Sequence, residues 1–309
     1  MNDTDAAIDA TTGPLRVAVL GPGGVGGLLA AVLANAGHEV VCLASDSSVE
    51  VLRTKGLQLS SVRFGDFTAR VEADTQLREP VDLCFICVKQ TALEDSLARV
   101  SPEALGDGLI VPMLNGVDHP ALLRAHYRPE LVAPAMIRVE STRLEPGVIA
   151  QTSPFAEIEL ASATAPRARL DRVAEVLRAV GFGAEVRDDE ATVVWTKMTF
   201  LAPLALMTTR YLAPVGEVRE QHGDELLAAG AEVVAVARAC GAEVDYPAVA
   251  GTLRRAPAAT KSSMLRDAEA GRPLELDAIG GAVLRAAALH GVPVPVITRL
   301  VLEISVRQG

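Results

Sequence analysis

The run Gly21-Pro22-Gly23-Gly24-Val25-Gly26-Gly27 constrains this chain more than any other feature. Upstream lies Leu15 to Leu20, a short apolar stretch with the look of a buried strand. Downstream lies Leu28 to Ala36, a helical stretch closed by Gly37. Glu39 to Leu43 then reads as a second buried strand. Strand, glycine turn, helix and strand make a βαβ unit, the building block of a parallel sheet. Gly21, Gly23 and Gly26 fit the pattern G-x-G-x-x-G. The first glycine permits a tight turn, the second lets backbone approach a pyrophosphate, and the third lets helix and strand pack closely. The helix N-terminus adds unpaired N–H groups and a partial positive charge. In this context Gly21, Gly23, Gly24, Val25 and Gly26 read as a dinucleotide-binding turn. A glycine turn with no ligand is the competing reading.

The nucleotide is less sharply specified. Ala44-Ser45-Asp46-Ser47 follows the second strand. Asp46 stands 20 residues beyond Gly26, where an acid can hold the ribose 2′-hydroxyl of NAD. Ser45 and Ser47 can instead hydrogen-bond the 2′-phosphate of NADP. Asp46 reads equally well as the N-cap of a helix over Val49 to Lys55.

A chain of 309 residues suits two domains. Only 3% of residues are aromatic, so the core has to be built from Ala, Val and Leu, and the alanine content favours helices. The net charge of −10 gives no general attraction for nucleic acid or an anionic membrane. No apolar run reaches the roughly 18–20 residues needed to cross a bilayer. Residues 1–13 lack the cationic and apolar regions of a signal peptide and read as a disordered leader, which points to a cytoplasmic protein. Cys84 and Cys87 form a C-x-x-C, but within the strand-like Val81 to Val88. There they point to opposite faces, and no second pair or nearby histidine completes a zinc set. They read as small buried hydrophobes, with no metal.

The alternation of strands and helices continues to about Asp188. Leu57 to Ser61, Leu83 to Val88, Leu109 to Met113, Val132 to Ser141, Val148 to Thr152, Ile158 to Ala161 and Ala184 to Arg187 look extended. Thr91 to Val100 and Arg167 to Val180 look helical, and Pro146-Gly147 marks a hairpin turn. Beyond 188 strand signals vanish and long helices take over: Glu190 to Met207, Glu225 to Cys240, Thr260 to Ala270 and Leu276 to Leu289. The expected class is α/β. A Rossmann-type dinucleotide-binding domain over 14–188 precedes an all-α substrate and catalytic domain over 189–309. Ligands of such sheets bind at the carboxyl ends of the strands, here expected to face the second domain.

Several short patterns keep a fixed order. Val88-Lys89-Gln90 and Leu114-Asn115-Gly116-Val117 each follow a strand. Val194-Trp195-Thr196-Lys197 opens the second domain. Lys261-Ser262-Ser263-Met264-Leu265-Arg266-Asp267 precedes Leu274-Glu275-Leu276-Asp277, and His290-Gly291-Val292-Pro293-Val294-Pro295 comes last. With the glycine turn, these make the chain resemble the ketopantoate reductase (2-dehydropantoate 2-reductase) family from Leu15 to about Arg299. The resemblance implies reduction of a 2-keto acid by NADP(H), with NAD(H) the alternative, and a role in pantothenate biosynthesis. It implies Lys197 as general acid, and Glu275 and Ser263 at the substrate's hydroxyl and carboxylate. It also implies Lys89 and Asn115 near nicotinamide and substrate, with Glu275 beside the cofactor too.

The chemistry is sound on its own terms. Hydride arriving at a carbonyl carbon leaves negative charge on oxygen, which a positioned ammonium can stabilise and protonate. Read in isolation, Lys197 is more readily an exposed helix lysine and Glu275 an acid at a helix start, and it is the resemblance that reverses this. Trp195 reads as packing and His290 as a helix-end cap.

The chain departs from the family at Leu201 and Ala205, where asparagines are usual, at Gly280-Gly281, and at Ser45, where an arginine is usual. Loss of two amides favours a less polar or differently shaped substrate. Two other readings follow: a β-hydroxy-acid dehydrogenase or imine reductase, which share the two-domain plan, and a catalytically silent nucleotide sensor. The apolar helical domain suggests a homodimer.

Overall fold

The structure, a computed structural model, describes residues 13–307. The expected leader over 1–13 therefore lies outside the described residues, except for Gly13. The chain forms two compact units. The first runs to Val88 and takes up Ala92–Met113 and Leu123–Arg187. The second comprises Lys89–Thr91, Leu114–Leu122 and everything from Asp188 onward.

In the first unit, β1 (Arg16–Leu20), α1 (Gly24–Asn35) and β2 (Glu39–Leu43) form the βαβ unit. There follow α2 (Asp46–Lys55), β3 (Leu57–Ser61), β4 (Phe67–Ala69), β5 (Glu72–Asp74) and β6 (Leu83–Ile86). Two short helices, α3 (Leu93–Leu97) and α4 (Pro102–Leu105), lead to β7 (Leu109–Pro112). The central sheet is parallel in the order β5-β2-β1-β6-β7. Every residue of β6 and β7 is buried, as expected of parallel strands covered on both faces. Val17, Val19, Leu28, Leu33, Cys42 and Phe85 lie in its core, each with no exposed surface.

Beyond α5 (His119–His126) come β8 (Ala135–Arg138), β9 (Ser141–Glu145), β10 (Val148–Gln151) and β11 (Glu157–Leu160). They are followed by α6 (Arg167–Ala179) and β12 (Gly183–Val186). β9 and β10 form the hairpin at Pro146-Gly147, where Gly147 takes φ +79. They extend a second sheet in the order β4-β3-β10-β9, and a third runs β12-β11-β8. The three-residue strands β4 and β5 carry too few residues to show alternation, which is why the sequence pattern missed them.

The second unit is helical, with no strand among its described residues. α7 (Glu190–Tyr211) is 22 residues long and carries Pro203 inside it. It corrects the expectation about apolar runs. By length and composition it could cross a membrane, yet 61% of its most apolar window is buried against the rest of the protein. Trp195, Met198, Ala202 and Leu206 pack into this unit's core. α8 (Val215–Ala239) kinks at His222, whose ring stacks on Tyr211 at 3.7 Å. α9 (Tyr246–Arg255) starts at the Asp245 cap and α10 (Ser263–Glu269) at the Ser262 cap. A π-helical segment, Asp277–Gly281, leads into α11 (Ala282–His290), which ends at Gly291 with φ +65. α12 (Pro295–Val306) begins on the Glu232 carboxylate, which accepts from the Val296 and Ile297 N–H groups, both at 2.9 Å. That anion suits the positive end of a helix. The sequence pattern overlooked α9 and α12. α9 carries Pro247 as its second residue and α12 opens on Pro295, and proline at the first helical turn lacks only an N–H that would be unpaired anyway.

Candidate active site

The glycine turn sits between β1 and α1. Gly21 has φ +85, and a Cβ there would lie 2.7 Å from Val88 Cγ1. Its N–H donates to Leu43 O on β2 at 3.0 Å. A Cβ on Gly26 would lie 2.3 Å from Gly21 O and 2.9 Å from Cys87 Cβ, so helix and strand close up only without one. Gly23 differs: a Cβ there would meet nothing nearer than Gly21 O at 4.0 Å. No side chain caps α1 and its first turn holds no acid. The first-turn N–H groups of Gly24, Val25 and Gly26 have no acceptor within the helix. Open space beside Gly23, next to donors at a positive helix end, fits a pyrophosphate.

Gly24 owes its identity to packing. A Cβ there would lie 2.3 Å from Ser141 O on β9, and Ser141 Oγ donates to Gly24 O at 2.8 Å. Ser141 is thus a support of the turn that motif reading could not find, since it stands 117 residues away.

Ser45 is the N-cap residue of α2, and Asp46 is its first helical residue, so Asp46 is not the N-cap. Ser45, Asp46 and Ser47 are exposed. The Ser45 hydroxyl donates to Ser48 Oγ at 3.2 Å and lies 3.4 Å from Ser47 Oγ. Cys42 and Cys84 are buried and their thiols are pushed up to about 12 by desolvation, which keeps them protonated and poorly reactive.

In the second unit, four of the five candidate residues fall into two polar clusters. The first centres on Glu275, just ahead of the π-helical segment and 6% exposed. Asn115 Nδ2 donates to Glu275 Oε2 at 3.2 Å. Lys197, half-buried on α7, feels the Glu275 charge. Burial pushes the Lys197 ammonium down to about 8, against the upward pull of Glu275. The second cluster centres on buried Asp267, whose carboxylate accepts from Lys89 Nζ and Arg272 Nε, both at 2.7 Å. Lys89 is therefore engaged by Asp267, and desolvation of Asp267 is outweighed by these cations, which hold its carboxyl below the usual range.

Ser263, the fifth residue, is half-buried as the first residue of α10. The capping serine is its neighbour Ser262, which accepts from Leu265 N and is hydrogen-bonded to Thr208. Leu201 is half-buried against the helical core, and Ala205 lies inside that core with no exposed surface.

His119, Asp118 and Asp267 escaped the sequence reading. Asp118 is held by Arg285 Nη2 at 2.7 Å, and Arg285 also binds Asp277 at 2.6 Å. His119 is buried, and burial followed by the charge of Lys197 pushes its imidazole down to about 3. The sequence reading assigned it no role.

A half-buried ammonium with a lowered pKa, acted on by the charge of a buried carboxylate that an amide holds in place, is the equipment of a proton donor. Comparison with known proteins gives the family. Residues 17–164 match the family model for the ketopantoate reductase PanE/ApbA, and residues 190–308 match the model for the C-terminal part of the same family. A 2-dehydropantoate 2-reductase of Mycobacterium tuberculosis is 29% identical over 298 residues, covering 92% of this chain and 95% of that protein. The crystal structure of a PanE/ApbA family ketopantoate reductase from Ralstonia eutropha superposes with a TM-score of 0.86 at 25% identity, covering 95% of this chain and 98% of that one. A D-mandelate dehydrogenase solved with NADH and anilino(oxo)acetate shares the fold, with a TM-score of 0.85 at 20% identity and 95% and 98% coverage.

Proposed function

The chain belongs to the ketopantoate reductase family, and from that premise we propose that it reduces the ketone of a 2-keto acid to a 2-hydroxy acid with a nicotinamide dinucleotide. The observation that carries this reading is the buried environment that pushes the Lys197 ammonium down to about 8 within electrostatic reach of buried Glu275, itself held by Asn115. The reduced nicotinamide, when bound, supplies the hydride. The glycine turn holds the pyrophosphate with the N–H groups of Gly24, Val25 and Gly26. Lys197 stabilises the charge growing on the substrate oxygen and gives it a proton from Nζ. Glu275 orients the ammonium and accepts from a substrate hydroxyl. Lys89, kept in place by Asp267, and Ser263 at the start of α10 attract the substrate's carboxylate.

The nucleotide preference is inferred from Ser45-Asp46-Ser47. This stretch offers a carboxylate and two hydroxyls and no cation. Such a set accepts from a ribose 2′-hydroxyl, whereas the carboxylate repels a 2′-phosphate. NADH is therefore expected to give a kcat/KM at least equal to that of NADPH, despite the NADP(H) preference implied by family resemblance. The assay follows reduced nicotinamide with ketopantoate and a panel of other 2-keto acids, with both nucleotides. The relatives' name makes ketopantoate the first substrate to try. Tight nucleotide binding with no turnover of any 2-keto acid would refute the enzyme reading in favour of the sensor.

The state of Lys197 sets the pH dependence. Reduction needs the ammonium, so its rate is expected to fall as pH rises through about 8. Oxidation of the 2-hydroxy acid needs the free amine, so its rate should rise through the same pH. A pair of pH profiles, one in each direction, checks this; profiles running in parallel would contradict it.

A further inference from the structure

The helical unit holds a cavity of about 470 Å³ that the chemistry above leaves unused. It lies among the end of α7, the segment after α10 and the end of α12. That volume falls within the roughly 300–1,000 Å³ of small-molecule sites. Its lining joins apolar Leu212, Leu274 and Ile304 to two guanidiniums, Arg272 and Arg307, and includes no acid. Apolar walls with two cations complement an organic anion.

Much of the donor capacity of the two arginines is free. Arg272 Nε donates to Asp267 Oδ1 at 2.7 Å, and its Nη2 reaches Arg266 O only at 3.4 Å. Arg307 Nη1 donates to Arg210 O at 2.6 Å. Arg272 Nη1, and Nε and Nη2 of Arg307, have no acceptor among the described residues. Thr209 also lines the cavity and is 4% exposed, and its hydroxyl has no hydrogen-bond partner among the described residues. Neighbouring Thr208 instead returns its hydroxyl to Leu204 O at 2.7 Å. A buried hydroxyl left unpaired is unfavourable and calls for a polar partner. Leu212 ends α7 with φ +51, the only positive φ at a non-glycine among the described residues, and is 58% exposed. A left-handed leucine is strained, and such residues gather at ligand clamps.

We propose that this cavity is a binding site for a small organic carboxylate with an aliphatic body. Arg272 and Arg307 hold the carboxylate, whose two oxygens match a guanidinium fork. The Thr209 hydroxyl donates to it as well. The aliphatic body rests on Leu212, Leu274 and Ile304. Bonds in the structure tie the site to the reaction. Arg272 shares Asp267 with Lys89, whose Nζ donates to Asp267 Oδ2 at 2.7 Å. A ligand that draws on the Arg272 guanidinium leaves Asp267 a stronger partner for Lys89. Lys89 is then less free for the substrate's carboxylate, and the ligand raises KM. This consequence rests on the reading of Lys89 as a substrate-binding residue.

The first test needs no turnover. Isocaproate is titrated into the full-length chain carrying carbon-labelled isoleucine and leucine methyl groups, followed by NMR. Neutral isohexyl alcohol and inorganic phosphate are the controls. Saturable shifts are expected at Leu212, Leu274 and Ile304, at lower isocaproate than either control requires. Affinity should fall about tenfold or more in Arg272→Gln and in Arg307→Gln, each losing a charge-assisted hydrogen bond, and severalfold in Thr209→Val. Arg307 is exposed, so its variant reports even if Arg272→Gln misfolds. In turnover of a 2-keto acid, saturating isocaproate should raise KM about fivefold or more with kcat little changed. Arg307→Gln should weaken that effect. No methyl shifts, or equal shifts with phosphate, which would mean an adventitious ion only, overturn the site. Shifts centred on Leu201, one helical turn from Lys197, place the ligand at the substrate site and overturn it too. Methyl shifts with an unchanged KM, or a rise in KM undiminished in Arg307→Gln, overturn the coupling to Lys89. If the methyls shift but wild type turns over no 2-keto acid, the site stands and the enzyme reading fails.

Discussion

Lys197→Ala is expected to lower the rate of 2-keto acid reduction by about 10²–10⁴-fold, the range supplied by a positioned general acid. Nucleotide affinity should stay within a few-fold, because Lys197 belongs to the helical unit and the glycine turn to the other. Stability should change little, since two effects oppose each other. Removing a half-buried ammonium relieves a desolvation penalty, the one that pushes its pKa down. Removing it also leaves the Glu275 carboxylate, 6% exposed, with Asn115 as its hydrogen-bond donor and without its countercharge. Single-turnover kinetics, nucleotide titration and thermal unfolding separate these expectations. A variant that keeps a tenth or more of the wild-type rate would show that another group delivers the proton.

The second large effect lies in the glycine turn, where two substitutions by alanine should part company. Gly26→Ala drives a Cβ to 2.3 Å from Gly21 O and 3.1 Å from Val19 Cγ1. Neither is the end of a flexible side chain, so the turn has to shift. A loss of about 1–3 kcal/mol of stability is expected, as for other overpacked sites, together with a fall in nucleotide affinity of about tenfold for each 1.4 kcal/mol of lost contact. Gly23→Ala places its Cβ in open space, and Gly23 has φ −81, which any residue adopts. Its stability should stay within about 0.5 kcal/mol of wild type. Its nucleotide affinity should still fall at least tenfold, because the open space is the place proposed for the pyrophosphate. Calorimetric titration with NADH and NADPH, alongside thermal unfolding, measures both. Unchanged affinity in Gly23→Ala would remove the turn from the cofactor site.

What the sequence disclosed and what it hid follow a physical divide. The βαβ unit was legible because its signals are local: a buried strand, a glycine turn and an apolar helix lie within 30 residues. The packing reason for a glycine at position 24 was hidden, because the Ser141 backbone that forbids a side chain there arrives by tertiary packing. The partnership of Lys89 with Asp267 spans 178 positions and that of Asn115 with Glu275 spans 160, and no local pattern reports such distances. The family resemblance named both ends of the second pair but not the partnership of Asp267 with Lys89. Ala205, where the family usually carries an asparagine, is in this chain part of an apolar helical core.

The central claim is that this chain moves a hydride onto the carbonyl carbon of a 2-keto acid while Lys197 protonates the oxygen. Transfer of label tests it most directly. Reduced nicotinamide carrying deuterium at its transferable position is incubated with ketopantoate and the most active member of the 2-keto acid panel, and the products are analysed by mass spectrometry and NMR. The account requires one deuterium on the carbinol carbon of a 2-hydroxy acid, at a rate that collapses in Lys197→Ala. Bound nucleotide with no labelled hydroxy acid from any 2-keto acid, or label transfer undiminished in Lys197→Ala, would contradict it.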